Sequence, residues 1–215
     1  VLYGFGRIGR LLARMMTQTT GPGNYYILRA IVIRKASEDD IYKRASLLSR
    51  DSVHGSFDGT VRVDEENSSL VVNGNPIKII YANNPSEVSY KDYEIKEPIV
   101  IDNTGVWRDE SSLSKHLDSG ASKVILTAPA KGAIKNIVYG INDEGIDDDD
   151  NILSAASCTT NAIVPVLKSV NDKYIIESGH VETIHSYTND QNLIDNFHKG
   201  DRRGRGAPLN MVITT

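Results

Sequence analysis

The stretch VLYGFGRIGRLLARMM, residues 1–16, leaves few folds open to this chain. Three apolar residues read as the end of a buried strand, and glycines follow at 4, 6 and 9. Ile8, Leu11, Leu12 and Met15 then recur at the spacing of one helix face. GPGN at 21–24 stops that helix, and YYILRAIVIR at 25–34 is a near-continuous apolar run, the mark of a strand covered on both faces. Strand, helix and strand in succession form a βαβ unit, whose strands are parallel and whose crossover is right-handed. The fold class that follows is α/β, opening with a doubly wound sheet.

The rest of the chain continues in the same two periods. SEDDIYKRASLLSR (37–50) predicts a helix capped by Ser37, with Ile41, Ala45 and Leu48 on one face. GTVRVD, SLVVNG and IKIIYA predict short strands, and NGN at 73–75 a hairpin turn. EPIVIDNTG (97–105) and KVILTAPA (123–130) read as buried strands flanking an amphipathic helix at 109–119. The acidic run DEGIDDDDN (143–151) predicts a solvated linker at a domain boundary. A helix then runs from Cys158 to about Lys173, with Ile163, Leu167 and Val170 on one face and Pro165 inside it. HVETIHSYT alternates like a strand, and NDQNLIDNFHKGDRRGRGAP predicts a loop.

Composition narrows function more than fold. With 215 residues and 40% apolar content, the chain can bury one large core or two small ones. A net charge of -4 argues against a general nucleic-acid binder. One cysteine cannot form an internal disulfide, which fits a cytoplasmic setting. No stretch reads as a signal peptide, a membrane span or a metal site. The chain opens without Met inside a predicted strand and stops at MVITT, so it reads as a piece of a longer protein.

The glycine turn carries chemistry. Gly4 admits the tight turn, Gly6 lets a pyrophosphate approach the backbone, and Gly9 lets helix and strand pack closely. Phosphates would receive the unpaired N–H groups of the helix start. Arg7 and Arg10 face either those phosphates or solvent. The same pattern asks for an acid at the second strand's tip to hold the ribose hydroxyls, but AIVIRKASEDD offers Ile33, Arg34 and Lys35. An arginine there suits a 2′-phosphate, so the residues favour NADP over NAD. The alternatives are that Arg34 and Lys35 face water, or that Glu38 or Asp39 folds back to the ribose.

Cys158 follows Ser157, a good N-cap, and opens a predicted helix. A thiolate at a helix N-terminus is stabilised by unpaired amides and becomes a nucleophile. Thr159, Thr160 and Asn161 add polar groups where a core cysteine would have apolar neighbours. A base is needed. His185, at the end of HVETIH, is a candidate, and His54, His116, His180 and His198 compete with it.

GFGRIGR, RDSVHGSFDGTV, ASCTTN, HSYTNDQ and RRGRGAP, in this order, resemble the glyceraldehyde-3-phosphate dehydrogenase family over nearly the whole chain. ASCTTN together with HSYTNDQ is the most specific part. The resemblance implies a Rossmann-type dinucleotide-binding domain over 1–157 and the first part of an α+β catalytic domain over 158–215. It implies Cys158 as nucleophile and His185 as its base. Ser157, Thr159, Thr188 and Arg203 match the family's phosphate and substrate contacts, and Asn189 its residue near the nicotinamide amide. Gly6, Arg7 and Ile8 match its dinucleotide loop; Thr104, Gly105 and Thr127 match segments lining the cofactor site.

The implied reaction converts glyceraldehyde 3-phosphate and inorganic phosphate to an acyl phosphate through a thioester on Cys158, with NAD or NADP. The implied assembly is a homotetramer whose 189–208 loop reaches a neighbour's cofactor, a role that accounts for the arginines of KGDRRGRG without nucleic acid or membrane. The chain departs from the family pattern in three ways. Ile33 stands where the family has its usual Asp, about four extra residues precede RDSVHG, and Ala162 replaces a common second cysteine. The family also continues beyond Thr215, leaving a cofactor-binding piece without turnover as one rival reading. An erythrose-4-phosphate dehydrogenase, sharing the loop and the Cys/His pair, is the other.

Overall fold

A computed structural model of the chain describes residues 1–18, 26–189, 191–198 and 203–211. It divides into two units, Val1–Tyr174 and Ile175–Thr215. The first holds β1 (Leu2–Tyr3), α1 (Arg7–Gln18), β2 (Ala30–Ile33), α2 (Asp40–Ser49), β3 (Arg50–Asp51), β4 (Gly55–Ser56) and β5 (Val61–Asp64). It continues with β6 (Ser69–Val72), β7 (Asn75–Tyr81), β8 (Ile99–Asp102), α3 (Glu110–Asp118), β9 (Lys123–Leu126), β10 (Ile152–Ser154) and α4 (Cys158–Tyr174).

Eight strands form one sheet in the order β10-β9-β8-β1-β2-β7-β6-β5. From β10 to β7 every pairing is parallel; β5, β6 and β7 form an antiparallel meander. The β6–β7 hairpin turns at Asn73 and Gly74, both with positive φ (49° and 82°), as the NG sequence predicts. Successive strand residues enter opposite cores. Leu2, Ile31 and Ile33 lie in one buried cluster with Ala13, Ile41 and Leu48; Tyr3, Val32, Val100 and Val124 lie in another with Leu113 and Tyr90. Both faces are therefore covered, which is why the central strands read as unbroken apolar runs. Each fully buried Leu or Ile stabilises the unit by about 1.5–3 kcal/mol through removal from water.

Several expectations need correction. The stripe of α1 is rotated from the one predicted: Ile8 and Met15 are exposed, and Gly9, Ala13 and Thr17 are buried instead. Small residues bring this helix close to the sheet, and Arg14 is buried because its guanidinium donates to the Leu48 and Gly55 carbonyls at 2.8 and 3.1 Å. Ser37 does not cap α2; its hydroxyl accepts from Lys43, and the helix starts at Asp40. The acidic run is not a boundary linker, because β10 follows it and joins β9 in the same sheet. Lys135 gathers it by bonding Asp147 at 2.9 Å and Asp150 at 2.7 Å. The helix from Cys158 forms as predicted, through Pro165, but none of its residues is buried.

Among the described residues of the second unit there is no helix or strand. The strand expected over HVETIHSYT is absent: Val181, Ile184 and Tyr187 are exposed, and no described segment pairs with them. Alternation alone cannot hold a strand whose apolar face and ladder lack a neighbour. The GPGN turn at 21–24, Asp190, residues 199–202 of KGDRRGRG and the terminal 212–215 lie outside the described residues. No described helix is long and apolar enough to cross a membrane.

Candidate active site

Because β1, β2, β8, β9 and β10 run parallel, the segments that follow them emerge at one edge of the sheet. Gly4–Gly9, Arg34, Thr104–Gly105, Thr127 and Ser157–Thr159 all follow these strands. β1 is the switch point, where the chain adds β2 on one side and β8 on the other. In open α/β sheets the crevice outside such a switch point receives the ligand.

The turn after β1 fits a dinucleotide. Gly4 adopts φ of 91°, and a Cβ there would lie 2.8 Å from the Thr104 methyl. A Cβ at Gly9 would collide with the Gly4 carbonyl. At Gly6 a Cβ would meet no protein atom within 4 Å, so space is open above the start of α1, where the first N–H groups have no intrahelical acceptor. Ile8, in the first turn of α1, is half exposed.

Arg7 and Arg10 are turned toward Asp51, each 3.6 Å from its Oδ2. Asp51 is buried and accepts from the N–H groups of His54 and Val53 and from the His54 ring. These bonds, the His54 N–H first, hold its carboxyl well below the usual carboxylate range. The D-S-V-H spacing, an aspartate accepting from N–H groups two and three residues on, was the sequence signal for this hub.

Past β2, Arg34 is exposed and in no ion pair among the described residues; Lys35 lies 5.7 Å over the Tyr81 ring. Asp40 is buried and occupied by Arg44 and the Ala36 N–H, and Glu38 and Asp39 remain exposed. Past β8, Asp102 Oδ1 accepts from the Thr104 N–H at 2.7 Å and its hydroxyl at 2.6 Å. Thr127 donates its N–H and hydroxyl to the Asp102 carbonyl, joining the β8 and β9 loops.

Past β10, Ala156 takes a left-handed backbone (φ 58°) that directs the chain into α4. Ser157 caps the helix as predicted: its Oγ accepts from the Thr160 N–H at 2.9 Å and contacts the Thr160 hydroxyl at 2.7 Å. Cys158, exposed, is the first helical residue, with Thr159 half-buried beside it. Two of the competing histidines are committed elsewhere: His54 to Asp51, and His116, fully buried, to Asp102 at 3.1 Å. A cleft of about 510 Å³, lined by Leu28, Arg29, Lys78 and Tyr93, opens at the amino ends of β2 and β7 and holds none of the predicted residues.

His185, Thr188, Asn189 and Arg203 belong to the second unit. Within it, His185 is exposed with Nδ1 2.5 Å from the Ser186 carbonyl, and the Thr188 N–H donates to Gln191 Oε1 at 2.9 Å. The segment around Arg203 is shaped by Asp195, which accepts from the Gly206 N–H at 2.9 Å and from Arg205 at 2.7 Å.

Comparison with known proteins decides the family. Residues 1–110 match the model for the glyceraldehyde 3-phosphate dehydrogenase NAD binding domain, and residues 157–215 match that for its C-terminal domain. The chain belongs to the glyceraldehyde 3-phosphate dehydrogenase family. It is 66% identical over 215 residues to a glyceraldehyde-3-phosphate dehydrogenase-like protein of Pseudomonas aeruginosa, covering all of this chain and 47% of that one. It is 42% identical over 212 residues to glyceraldehyde-3-phosphate dehydrogenase of Thermotoga maritima, covering 99% of this chain and 61% of that one. A chloroplastic form from Scenedesmus vacuolatus is 38% identical over 213 residues, covering 99% of this chain and 65% of that one. The chain thus spans about half to two thirds of the length of these family members.

Proposed function

We propose that this chain carries the dinucleotide-binding part, residues 1–157, and the beginning of the catalytic part, residues 158–215, of a phosphorylating aldehyde dehydrogenase acting on glyceraldehyde 3-phosphate. The observation that carries this reading is an exposed cysteine at the start of α4, at the sheet edge that also bears the glycine turn.

Gly4, Gly6, Arg7, Ile8 and Gly9, with Thr104, Gly105 and Thr127, would hold NAD or NADP, and Asn189 would meet the nicotinamide amide. A bound nicotinamide supplies the hydride acceptor. Cys158 attacks the aldehyde carbon, its nucleophilicity raised by the N–H groups of α4. His185 takes the proton from the resulting hydroxyl. The thioester left on Cys158 is then attacked by inorganic phosphate, which releases the acyl phosphate and returns the thiolate. Ser157, Thr159, Thr188 and Arg203 would hold the two phosphates by charge-assisted hydrogen bonds. The family's working assembly, on this reading, is a homotetramer.

NADP is the favoured cofactor. Arg34 offers an exposed guanidinium just past β2, and Asp40, the buried acid of the segment that follows, is already bonded by Arg44 and the Ala36 N–H. Calorimetric titration of the chain with each dinucleotide tests this. We expect NADP to bind more tightly, and Arg34→Ala to weaken NADP by about tenfold, as for one charge-assisted bond, while sparing NAD. Tighter NAD binding would overturn the cofactor preference; binding of neither would overturn the dinucleotide site.

A further inference from the structure

Asp102, the last residue of β8, has no exposed surface. A carboxylate so placed is tolerated only when donors surround it. Its Oδ1 takes both the N–H and the hydroxyl of Thr104, and its Oδ2 lies 3.1 Å from His116 Nε2. Thr104 passes the constraint outward. Its hydroxyl accepts from the Val106 N–H at 3.2 Å, and its methyl packs against Gly4 so closely that a Cβ there would approach to 2.8 Å.

His116 is equally buried, and its ring makes no other polar contact among the described residues; its Nδ1 has no partner there. The ring is wedged edge-on by Tyr3 at 4.7 Å and by Trp107 at 6.4 Å, so it cannot turn away from Asp102 without displacing the core. A continuous line of contacts therefore runs from α3 through the end of β8 to the wall of the crevice facing the glycine turn.

We propose that Asp102 and His116 are positioning residues for dinucleotide binding, His116 orienting the Asp102 carboxylate and Asp102 fixing the Thr104 loop against Gly4. The inference rests on the reading of this crevice as the dinucleotide site. It gives His116 a role distinct from that of a base for Cys158.

Trp107 is the only tryptophan and touches both Tyr3 and His116, so its emission reports on this crevice. The test is a fluorescence titration of the chain with NAD and NADP in a double-mutant cycle, with circular dichroism confirming that each variant folds. His116→Leu and Thr104→Val should each weaken binding by about tenfold, the scale of one lost hydrogen bond, and the double variant should be no more than about twofold weaker than either. His116→Gln, which keeps an N–H directed at Asp102, should stay within about threefold of the parent. Losses that multiply, or a lowered melting temperature with unchanged affinity, would mean a merely structural pair and overturn the proposal. Should His116→Leu fail to fold, Thr104→Val decides, since it leaves the core intact; parental affinity in that variant overturns the proposal. A parent that binds neither dinucleotide removes the underlying reading and this inference with it.

Discussion

Two helices begin at the same sheet edge and treat their exposed N–H groups in opposite ways. At α4, Ser157 turns its own hydroxyl onto the Thr160 N–H, so the cap is internal and the residue presented outward is the side chain of Cys158. At α1 the cap position is Gly6, which has no side chain to turn, and the space above it is open. A self-capped helix start displays the side chain of its first residue; a bare one keeps room for an anion supplied from outside. On the proposed reading, the same element of secondary structure would serve two parts of one reaction because of what stands at a single cap position.

The sharpest way to break this comparison is within α1 itself. Gly9→Ala drives a methyl into the Gly4 carbonyl and should destabilise the first unit by about 1–3 kcal/mol in denaturant unfolding. Gly6→Ala meets no protein atom, so melting should hardly change while dinucleotide affinity drops by about tenfold, the scale of one lost or obstructed contact. Equal effects from the two substitutions would mean that Gly6 is structural, and the open cap would lose its meaning. At the other helix, Ser157→Ala should lower stability by about 1 kcal/mol, and unchanged melting would show that Ser157 is not a working cap.

The smallest effect concerns the hub below α1. Asp51 has a folded pKa depressed below its ordinary value of 3.8. Its contribution to stability is therefore complete above that value and is lost as pH falls through the lower, folded value. Asp51→Asn should be less stable than the parent at pH 7 and close to it in strong acid, with a shallower acid limb in a pH series of thermal melts. Parallel curves would show that the carboxylate is not held as its bonds suggest.

How much of this was legible in the sequence varied with how local the signal was. The β1–α1–β2 unit, the NG hairpin and the helix opening at Cys158 were readable because each rests on neighbouring residues. The buried face of α1 was misread because hydrophobic periodicity favours Ile8 and Met15, whereas the packing selects Gly9 and Ala13 for size and buries Arg14 through distant carbonyls. HVETIHSYT looked like a strand because alternation records a preference, and pairing needs a partner. At this sheet edge, the places of Gly4, Gly6 and Cys158 in turn and helix start were readable, but that of Asp102 was not. Nothing near IVIDNTG in the sequence reveals that His116, fourteen residues on, closes over its carboxylate.

The arrangement at Asp51 bears on what kind of recognition the glycine turn could perform. The guanidinium groups of Arg7 and Arg10 converge on one carboxylate, so the positive charge in excess beside Gly6 is tethered at Asp51. Attraction for an anion there is shared between that charge and backbone dipoles fixed in direction and short in reach. Such a loop would select its guest by the shape of a diphosphate as well as by its charge, and added salt would weaken its hold only in part.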